Sequence, residues 1–332
     1  MDAKSSFALQ SDVTGTVDLT RPADVCATVV ATLRKRFPDI NVACLEHGYR
    51  DIEAAFWGRY PGLLACDTPY HDLRHSLATS LLMARMIDGY AAAPTAGGPQ
   101  FDAAHASLAT LLALYHDIGF LRRNEEGRIN GAMLIHDHEQ RSVDFMRDYL
   151  AQGSLARQAD GAELILATNF SASLDDLLAG LSPARQLISK MLGTADLVSQ
   201  VSSRYYLERC RYYLYGEFVI AGADRLVRPD GTTQMLYDSG EDLLRKTPGF
   251  FEHVVRKRIE GMGDMYHCVA AHFGGDDPYE RGMRRNMAFL KEIVASGDFG
   301  RLARRPIPLM PLPEAEWRAL LRGLDNEVDA DE

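Results

Sequence analysis

The chain has 332 residues, a net charge of −10 and a sequence pI near 5.5. Hydrophobic residues account for 46% of it, enough to bury the core of one large domain or two small ones. The acidic balance argues against nucleic-acid binding, because such binding needs basic surface to displace counterions from phosphates.

The hydrophobic pattern divides the chain into three predicted regions. Residues 1–20 are polar and lack periodicity, which indicates a mobile N-terminal arm. Residues 21–300 have mostly helical periodicity, so the predicted fold class is all-α. Within this domain, Pro229-Asp230-Gly231 between apolar pairs predicts one small β-hairpin near 225–237. Residues 301–332 are a proline-rich tail with one short helix predicted around 314–322.

Two predicted helices carry an apolar stripe that ends beside a polar residue. Each stripe should face the core and present the adjoining polar side chain at a helix end. The first stripe precedes His116 and the second precedes Asp196; they consist of Leu108, Leu111, Leu112 and Tyr115, and of Ile188, Met191, Leu192 and Ala195.

Histidine and aspartate motifs predict a metal site. His71 and His75 are four residues apart, so on a helix they share one face. His116-Asp117 follows an apolar stripe, where a buried imidazole or carboxylate is costly unless it is paired or metal-bound. Together with Asp196, these side chains are ligands that divalent transition metals prefer. A lone histidine on a helix is more often a partnered side chain, but the combination favours a metal.

His138 is a weaker candidate. It lies in the segment His-Asp-His-Glu at 136–139, before a helix-like pattern. One interpretation is a polar helix start, because the helix dipole favours acidic residues there. The other is a group that supports the metal ligands or binds a second metal. The remaining histidines lack supporting neighbours and are interpreted as structural or exposed: His47, His105, His253, His267 and His272.

The lack of recognisable targeting signals predicts a cytoplasmic protein. The first residues lack a basic segment followed by an apolar run, so no signal peptide is evident. No uninterrupted apolar stretch of about 18 residues is present, which predicts no membrane span. Five cysteines are scattered without a CxxC pair, as is typical of reduced thiols in the cytosol.

The order of these motifs resembles a known superfamily. His75, then His116-Asp117, then Asp196 follow the H…HD…D pattern that defines the HD metal-dependent phosphohydrolases. Five short matches in the right order, over roughly 60–255, further resemble the catalytic domain of class I 3',5'-cyclic nucleotide phosphodiesterases. Residues 70–76 resemble the motif YHNxxHA. The motif HDxxHPGxxN is matched in part, by His116, Asp117 and Asn124. Three later segments resemble LATDMS (166–171), MVHCADL (191–197) and GFI (249–251).

The resemblance implies an HD-type, phosphodiesterase-like helical bundle with two divalent metals. They would be zinc with magnesium or manganese, with iron or nickel as alternatives. The implied reaction is hydrolysis of a cyclic nucleotide or similar small phosphorylated substrate by a metal-bridging hydroxide, with His71 as the general acid. The implied ligands of the first metal are His75, His116, Asp117 and Asp196, with Asp117 bridging to the second, and the implied substrate contacts are Tyr70, Asn124, Thr247 and Phe250.

The chain departs from the phosphodiesterase pattern at four places. This chain has Asp72 where those enzymes have Asn, and Phe120 where they have the second His of HDxxH. It has Ile135 where they have a Glu that precedes a later His pair. The purine-selecting Gln that precedes the GFI motif is missing, because 246–248 read Lys-Thr-Pro. Neither Thr nor Pro can make the bidentate amide contact to a purine. The motifs thus indicate a hydrolytic core without that base-reading amide.

Three alternatives stay open. The same metal site could hydrolyse nucleoside mono- or triphosphates, although His71 in its YH[ND]xxH context favours a diester. A di-iron HD oxygenase needs two further histidines before Asp196, where only His136 and His138 occur, with Asn169-Phe170 in place of a later His. The third alternative is a degenerate HD protein that binds a ligand without turnover. A cyclic di-GMP hydrolase is disfavoured because no GYP motif follows the HD pair.

Overall fold

The structure is a computed structural model that describes residues 10–93, 98–304 and 306–311. The predicted all-α class is confirmed, and so is the small hairpin. Strands β1 (Arg225–Val227) and β2 (Thr233–Met235) pair antiparallel, with Leu226 opposite Gln234. The short helix predicted near 314–322 lies outside the described residues, as do residues 1–9 of the predicted arm.

The described part of the chain contains α1 (Pro22–Arg34), α2 (Val42–Phe56), α3 (Leu73–Ala92), α4 (Ala103–Tyr115), α5 (His138–Ala151), α6 (Leu174–Leu178), α7 (Pro183–Ser202), α8 (Tyr206–Arg209), α9 (Tyr215–Ala221), α10 (Gly240–Phe250), α11 (Arg256–Gly261), α12 (Cys268–His272) and α13 (Pro278–Ser296). Short 3-10 segments are Ile118–Phe120, Asn124–Glu126, Gly131–Leu134, Ala156–Thr168, Met265–His267 and Phe299–Arg301, and π-helical turns are Cys210–Leu214 and Phe251–Val255. None of these helices combines the length and apolar character needed to cross a bilayer.

Helix α3 lies at the centre of the bundle. It packs against α1, α4, α7 and α12, and nearly all of its residues from Leu73 to Gly89 are buried. Its start is set by Asp72, whose carboxylate accepts from the backbone N–H of His75 as an N-cap. Ser182 caps α7 in the same way, with Pro183 in the first turn. The helices that carry the candidate site therefore begin at residues whose chemistry favours a helix start.

Two details of helix placement differ from the sequence-based prediction. His71 and His75 do not share a helix face, because α3 begins at Leu73 and His71 precedes it. Asp196 is not at a helix end, because α7 continues to Ser202. In both cases the boundary depends on capping and packing that the periodicity does not encode. His116, in contrast, is the C-cap of α4, as its stripe predicted.

Residues 10–20 of the predicted mobile arm pack against the bundle. Val17 and Leu19 are buried. The Asp12 carboxylate accepts from Arg85 of α3 at 2.6 Å and from the backbone N–H of Val17 at 3.0 Å. Arg85 also donates to the Tyr279 hydroxyl of α13. An antiparallel bridge between Ser11 and Asp18 and these side-chain bonds hold the segment in place, without a helix that would give it periodicity.

The start of the predicted tail also contacts α3. The backbone N–H of Leu309 donates to the Asp72 carboxylate at 2.7 Å, and Arg74 donates to the Ile307 carbonyl at 3.0 Å. Leu302 and Met310 are buried. The described tail residues therefore stabilise the first turn of α3.

Gly119 allows two elements of the candidate site to approach closely. A Cβ at this position would lie 2.0 Å from the His138 carbonyl oxygen and 2.9 Å from Ser142 Oγ. We expect Gly119→Ala to lower the free energy of unfolding by about 1–3 kcal/mol, because the backbone of α5 must move away. Chemical denaturation measures this change.

Gly249→Ala is the matched control, because its added Cβ would meet no atom within 4 Å apart from its chain neighbours and its own helix backbone. That variant should change stability by less than about 1 kcal/mol, since alanine is at least as favourable as glycine in a helix. Equal losses in both variants would contradict the close approach at Gly119.

Candidate metal centre

Three separate helical regions bring the four predicted metal ligands together. His75 is in the first turn of α3, His116 ends α4, Asp117 follows it, and Asp196 lies within α7. All four side chains are buried, with exposed fractions of 7%, 1%, 3% and 8% respectively. Because buried imidazole and carboxylate groups need partners, their convergence calls for a cation or a proton between them.

The ligand atoms of the cluster face one another. His75 Nε2 lies 3.0 Å from Asp196 Oδ1 and 3.1 Å from His116 Nε2. His116 Nε2 lies 3.2 Å from Asp117 Oδ2. One ligand atom from each of His75, His116 and Asp196 lies within 4.8 Å of the others. This spacing and this donor set suit a divalent transition metal.

Two further observations indicate that the cluster fits a metal. Asp117 Oδ2 is buried and lies 3.2–3.3 Å from the Nε2 atoms of His116 and His75, yet it accepts no well-aligned hydrogen bond from the described residues, although buried carboxylate oxygens are normally paired. His116 Nδ1 donates to the Ala113 carbonyl at 2.9 Å, which fixes the tautomer and leaves the Nε2 lone pair toward the cluster. The residues present therefore fit a bound cation.

The electrostatics of the cluster favour positive charge. Burial lowers the pKa of His116, but the carboxylates of Asp117 and Asp196 outweigh it and hold that pKa well above its usual value. Burial raises the pKa of Asp117, yet His116 and the neighbouring histidines hold it well below its ordinary range. Both shifts express the same preference of two buried carboxylates for a cation.

His71 lies beside the cluster and is held by Glu217. His71 Nδ1 is 2.5 Å from Glu217 Oε2, and the other carboxylate oxygen accepts from the Tyr70 backbone N–H at 2.6 Å. Burial lowers the pKa of His71, but the Glu217 carboxylate raises it above its usual value overall. The His71 and His75 ring centroids are 6.3 Å apart. His71 therefore lies beside the predicted ligands with its own carboxylate partner, which favours the protonated imidazole.

Phe120 packs against both His71 and His138, whose own ring centroids are 6.3 Å apart. Its ring stacks on both imidazoles, with centroids 4.2 Å from each. His138 Nδ1 donates to the Ile135 carbonyl at 2.7 Å, and its Nε2 lies 3.7 Å from Asp117 Oδ1. Burial lowers the pKa of His138 to about 4, so its imidazole is neutral. The structure thus brings His138 to the edge of the cluster, and its predicted role with the metals stays a prediction.

Asp72 stabilises the fold and does not face the cluster. It is fully buried and pairs with Arg209, whose Nη2 donates to Asp72 Oδ1 at 3.1 Å. It also caps α3 and accepts from Leu309. An aspartate in place of the phosphodiesterase Asn is therefore explained by this buried arginine, which needs a carboxylate partner.

The predicted substrate contacts occupy different environments. The Tyr70 hydroxyl donates to Gln200 Oε1 at 2.6 Å, and Gln200 donates to Asp196 Oδ1 at 3.0 Å, so Tyr70 supports a cluster carboxylate. The Thr247 hydroxyl donates to its own helix at Leu243. Phe250 is 43% exposed and contacts Phe170, whereas Asn124 is exposed in a 3-10 turn.

Three residues of the site were missed by sequence reasoning. Glu217 lies 146 positions after His71 and carries no motif, so only folding joins them. Gln200 is one turn beyond Asp196, a spacing that could have indicated contact. Glu139 follows His138 directly; burial, then the charges of Asp117 and Asp196, raise the pKa of its carboxyl to about 7.

Comparison with solved structures identifies the fold. The chain is similar to the phosphodiesterase domain of Salpingoeca rosetta rhodopsin phosphodiesterase, with a TM-score of 0.53, 16% identity, and coverage of 91% of this chain and 97% of that one. A second similar structure is the phosphodiesterase domain of the RhoPDE fusion protein from the choanoflagellate Salpingoeca rosetta. Its TM-score is 0.52 at 15% identity, and the match covers 89% of this chain and 97% of that one. The fold is that of a phosphodiesterase domain.

No protein-family model and no curated protein sequence matches the chain. The likeness is therefore one of fold, at an identity where substrate and residue roles do not follow from it. The predicted phosphodiesterase-like helical bundle is confirmed.

We expect His116→Ala and Asp196→Ala to lower the metal content of the purified protein, because each removes one cluster atom that no neighbour replaces. Elemental analysis after dialysis measures it. His47→Ala is the control, since that side chain is 64% exposed and pairs with Asp51 away from the cluster. Unchanged metal content in both cluster variants would contradict the site assignment.

Proposed function

We propose that the chain is a metal-dependent phosphohydrolase that cleaves a phosphodiester, with 3',5'-cyclic nucleotides or similar diesters as substrates. The observation that carries this proposal is the juxtaposition of the buried cluster with the His71–Glu217 pair. The cluster can bind cations that attract a phosphate, and the pair provides a proton donor beside them. The fold shared with phosphodiesterase domains supports this reading.

In this proposal, four residues hold the first metal ion: His75, His116, Asp117 and Asp196. Zinc suits the mixed imidazole and carboxylate donors, while a second, more hydrated ion such as magnesium or manganese prefers oxygen donors. Asp117 would help to hold either ion, since its Oδ2 faces His116 and its Oδ1 faces His138. Bound divalent ions supply positive charge to the phosphate and lower the pKa of water.

His71 donates the proton to the leaving oxygen. Its Nδ1 is engaged by Glu217, so the Nε2–H remains to protonate the alkoxide that departs from phosphorus. The Glu217 carboxylate raises the pKa of His71 above its usual value, which favours the protonated imidazole that the acid role needs. Phe120 covers one face of the ring and fixes its plane. Such proton donation contributes roughly 10²–10⁴ in rate.

The substrate class is tested by a hydrolysis screen with added zinc, magnesium or manganese. It should compare cyclic AMP, cyclic GMP, bis-p-nitrophenyl phosphate and nucleoside monophosphates. Turnover of diesters above monoesters supports the proposal. Turnover of monoesters or nucleoside triphosphates alone would favour the other HD phosphohydrolase activity, and no metal-dependent turnover would leave a ligand-binding protein.

We expect His71→Ala to retain its metal content but to lose roughly 10²–10⁴ in rate on a cyclic nucleotide. The loss should be smaller on bis-p-nitrophenyl phosphate, because a nitrophenolate departs without a proton. Steady-state kinetics on both substrates, with elemental analysis, measures this split. Equal losses at full metal occupancy would contradict the acid role.

Glu217→Gln is the companion variant. Because Glu217 raises the pKa of His71, its removal lowers that pKa, and the protonated imidazole is lost at lower pH. The basic limb of the pH–rate profile should therefore move to lower pH. Glu241→Gln, at an outlying ion pair with Arg211, should leave the profile unchanged.

We expect weak purine selectivity, with kcat/KM values for cyclic AMP and cyclic GMP within about tenfold. Thr247 offers no bidentate amide, and its hydroxyl is already bound to the Leu243 carbonyl at 2.8 Å. A tenfold ratio is about 1.4 kcal/mol, less than a dedicated hydrogen-bonding site can provide. A strong preference for one purine would show that another residue reads the base.

A further inference from the structure

Two side chains outside the H…HD…D pattern form a hydrogen-bond relay that ends on the metal cluster. The Tyr70 hydroxyl donates to Gln200 Oε1 at 2.6 Å, and Gln200 Nε2 donates to Asp196 Oδ1 at 3.0 Å. Tyr70 precedes α3, whereas Gln200 lies on α7, 130 positions later in the chain. The Tyr70–Gln200 relay therefore exists only in the folded protein.

The oxygen that accepts this hydrogen bond faces the cluster. Asp196 Oδ1 lies 3.0 Å from His75 Nε2 and 3.4 Å from His116 Nε2. A carboxylate that binds a metal is commonly hydrogen-bonded by a second group as well, because that bond fixes its orientation. Gln200 is placed to do this for Asp196, since both are on α7, one helical turn apart.

The orientation of the Gln200 amide is determined by its two neighbours. Tyr70 is 4% exposed, and burial raises the pKa of its hydroxyl well above the usual value, so the hydroxyl stays protonated and can donate. Its proton goes to Gln200 Oε1, which leaves the amide N–H for Asp196. The reversed amide would place a carbonyl oxygen against a carboxylate, where neither group can donate.

The donor at Asp196 is neutral, which suits a metal ligand. An amide N–H orients a carboxylate without neutralising it, so the negative charge stays available for a cation. Asp72 shows the contrast, because this buried carboxylate is paired with the guanidinium of Arg209 and stabilises the fold. A charged partner at Asp196 would instead compete with the metal.

Tyr70 also contacts the proton-donating pair, but through its main chain. Its backbone N–H donates to Glu217 Oε1 at 2.6 Å, and the other oxygen of Glu217 binds His71. Replacement of the Tyr70 side chain therefore leaves this backbone donor in place. Tyr70→Phe removes the hydroxyl of the relay alone.

We propose that Gln200 is a positioning residue for metal binding, held by the Tyr70 hydroxyl so that it orients the Asp196 carboxylate. This inference rests on the proposed metal centre and adds to it a residue that the ligand pattern does not contain. Gln200 acts through Asp196 and does not itself bind the metal.

The test is the zinc affinity of the full chain, measured by competition with a chelating indicator after the bound metal has been removed. Gln200→Leu should weaken zinc binding by roughly 10–100-fold, because the Asp196 carboxylate loses the donor that orients it. Tyr70→Phe should cause a smaller loss, because the amide remains but is free to rotate. Thermal unfolding of the metal-free variants shows whether each one is folded.

A double variant separates the relay from two unrelated effects on stability. In a Gln200→Leu background, Tyr70→Phe should cause no further loss of zinc affinity, because the hydroxyl acts only through the amide. Effects of independent sites would add instead.

Two controls match the chemistry of the variants. Gln186→Leu removes an amide on the same helix that donates to the Leu178 and Leu181 carbonyls. Tyr49→Phe removes a buried hydroxyl that bonds to Ser80 Oγ. Both should keep the zinc affinity of wild type. If Gln200→Leu does not fold, Tyr70→Phe compared with Tyr49→Phe decides the outcome.

Three results would overturn the proposal. Wild-type zinc affinity in Gln200→Leu or in Tyr70→Phe would remove the positioning role and leave the metal centre intact. Additive losses in the double variant would show that the two side chains act separately. Absence of zinc binding by wild type would contradict the metal centre as well, so the two failures are distinguishable.

Discussion

The candidate site depends on the hydrogen bonds and the ion pair made by the fully buried carboxylate of Asp72. It caps α3 through the His75 N–H, pairs with Arg209 and accepts from the Leu309 N–H. A buried charge is tolerated only when its partners satisfy it, and these three donors do so from three different parts of the chain. The same residue therefore sets where α3 begins and hence where His71 and His75 diverge.

A second constraint follows from that start. Because His71 precedes the helix and His75 lies within it, their imidazoles have separate partners. His75 faces His116 and Asp196 in the cluster, whereas His71 is bound by Glu217. A continuous helix would have placed both rings on one face. An imidazole held apart from the cluster by its own carboxylate partner is what the proposed proton donation requires.

Helix α3 forms one wall of the cluster through His75, which faces His116 and Asp196. The buried carboxylates of the cluster favour positive charge at this point. The described residues supply that charge only through the imidazoles, which is why the cluster fits a cation.

The sequence by itself determined the all-α class, the hairpin and the residues of the cluster, because period, turn chemistry and ligand type are local properties. His116-Asp117 after an apolar stripe was sufficient to indicate buried ligands. Only the tertiary structure decided the partner of His71, since Glu217 is 146 positions away and no local pattern links them. It also decided the packing of residues 10–20, because the bond between Asp12 and Arg85 joins segments that no periodicity connects.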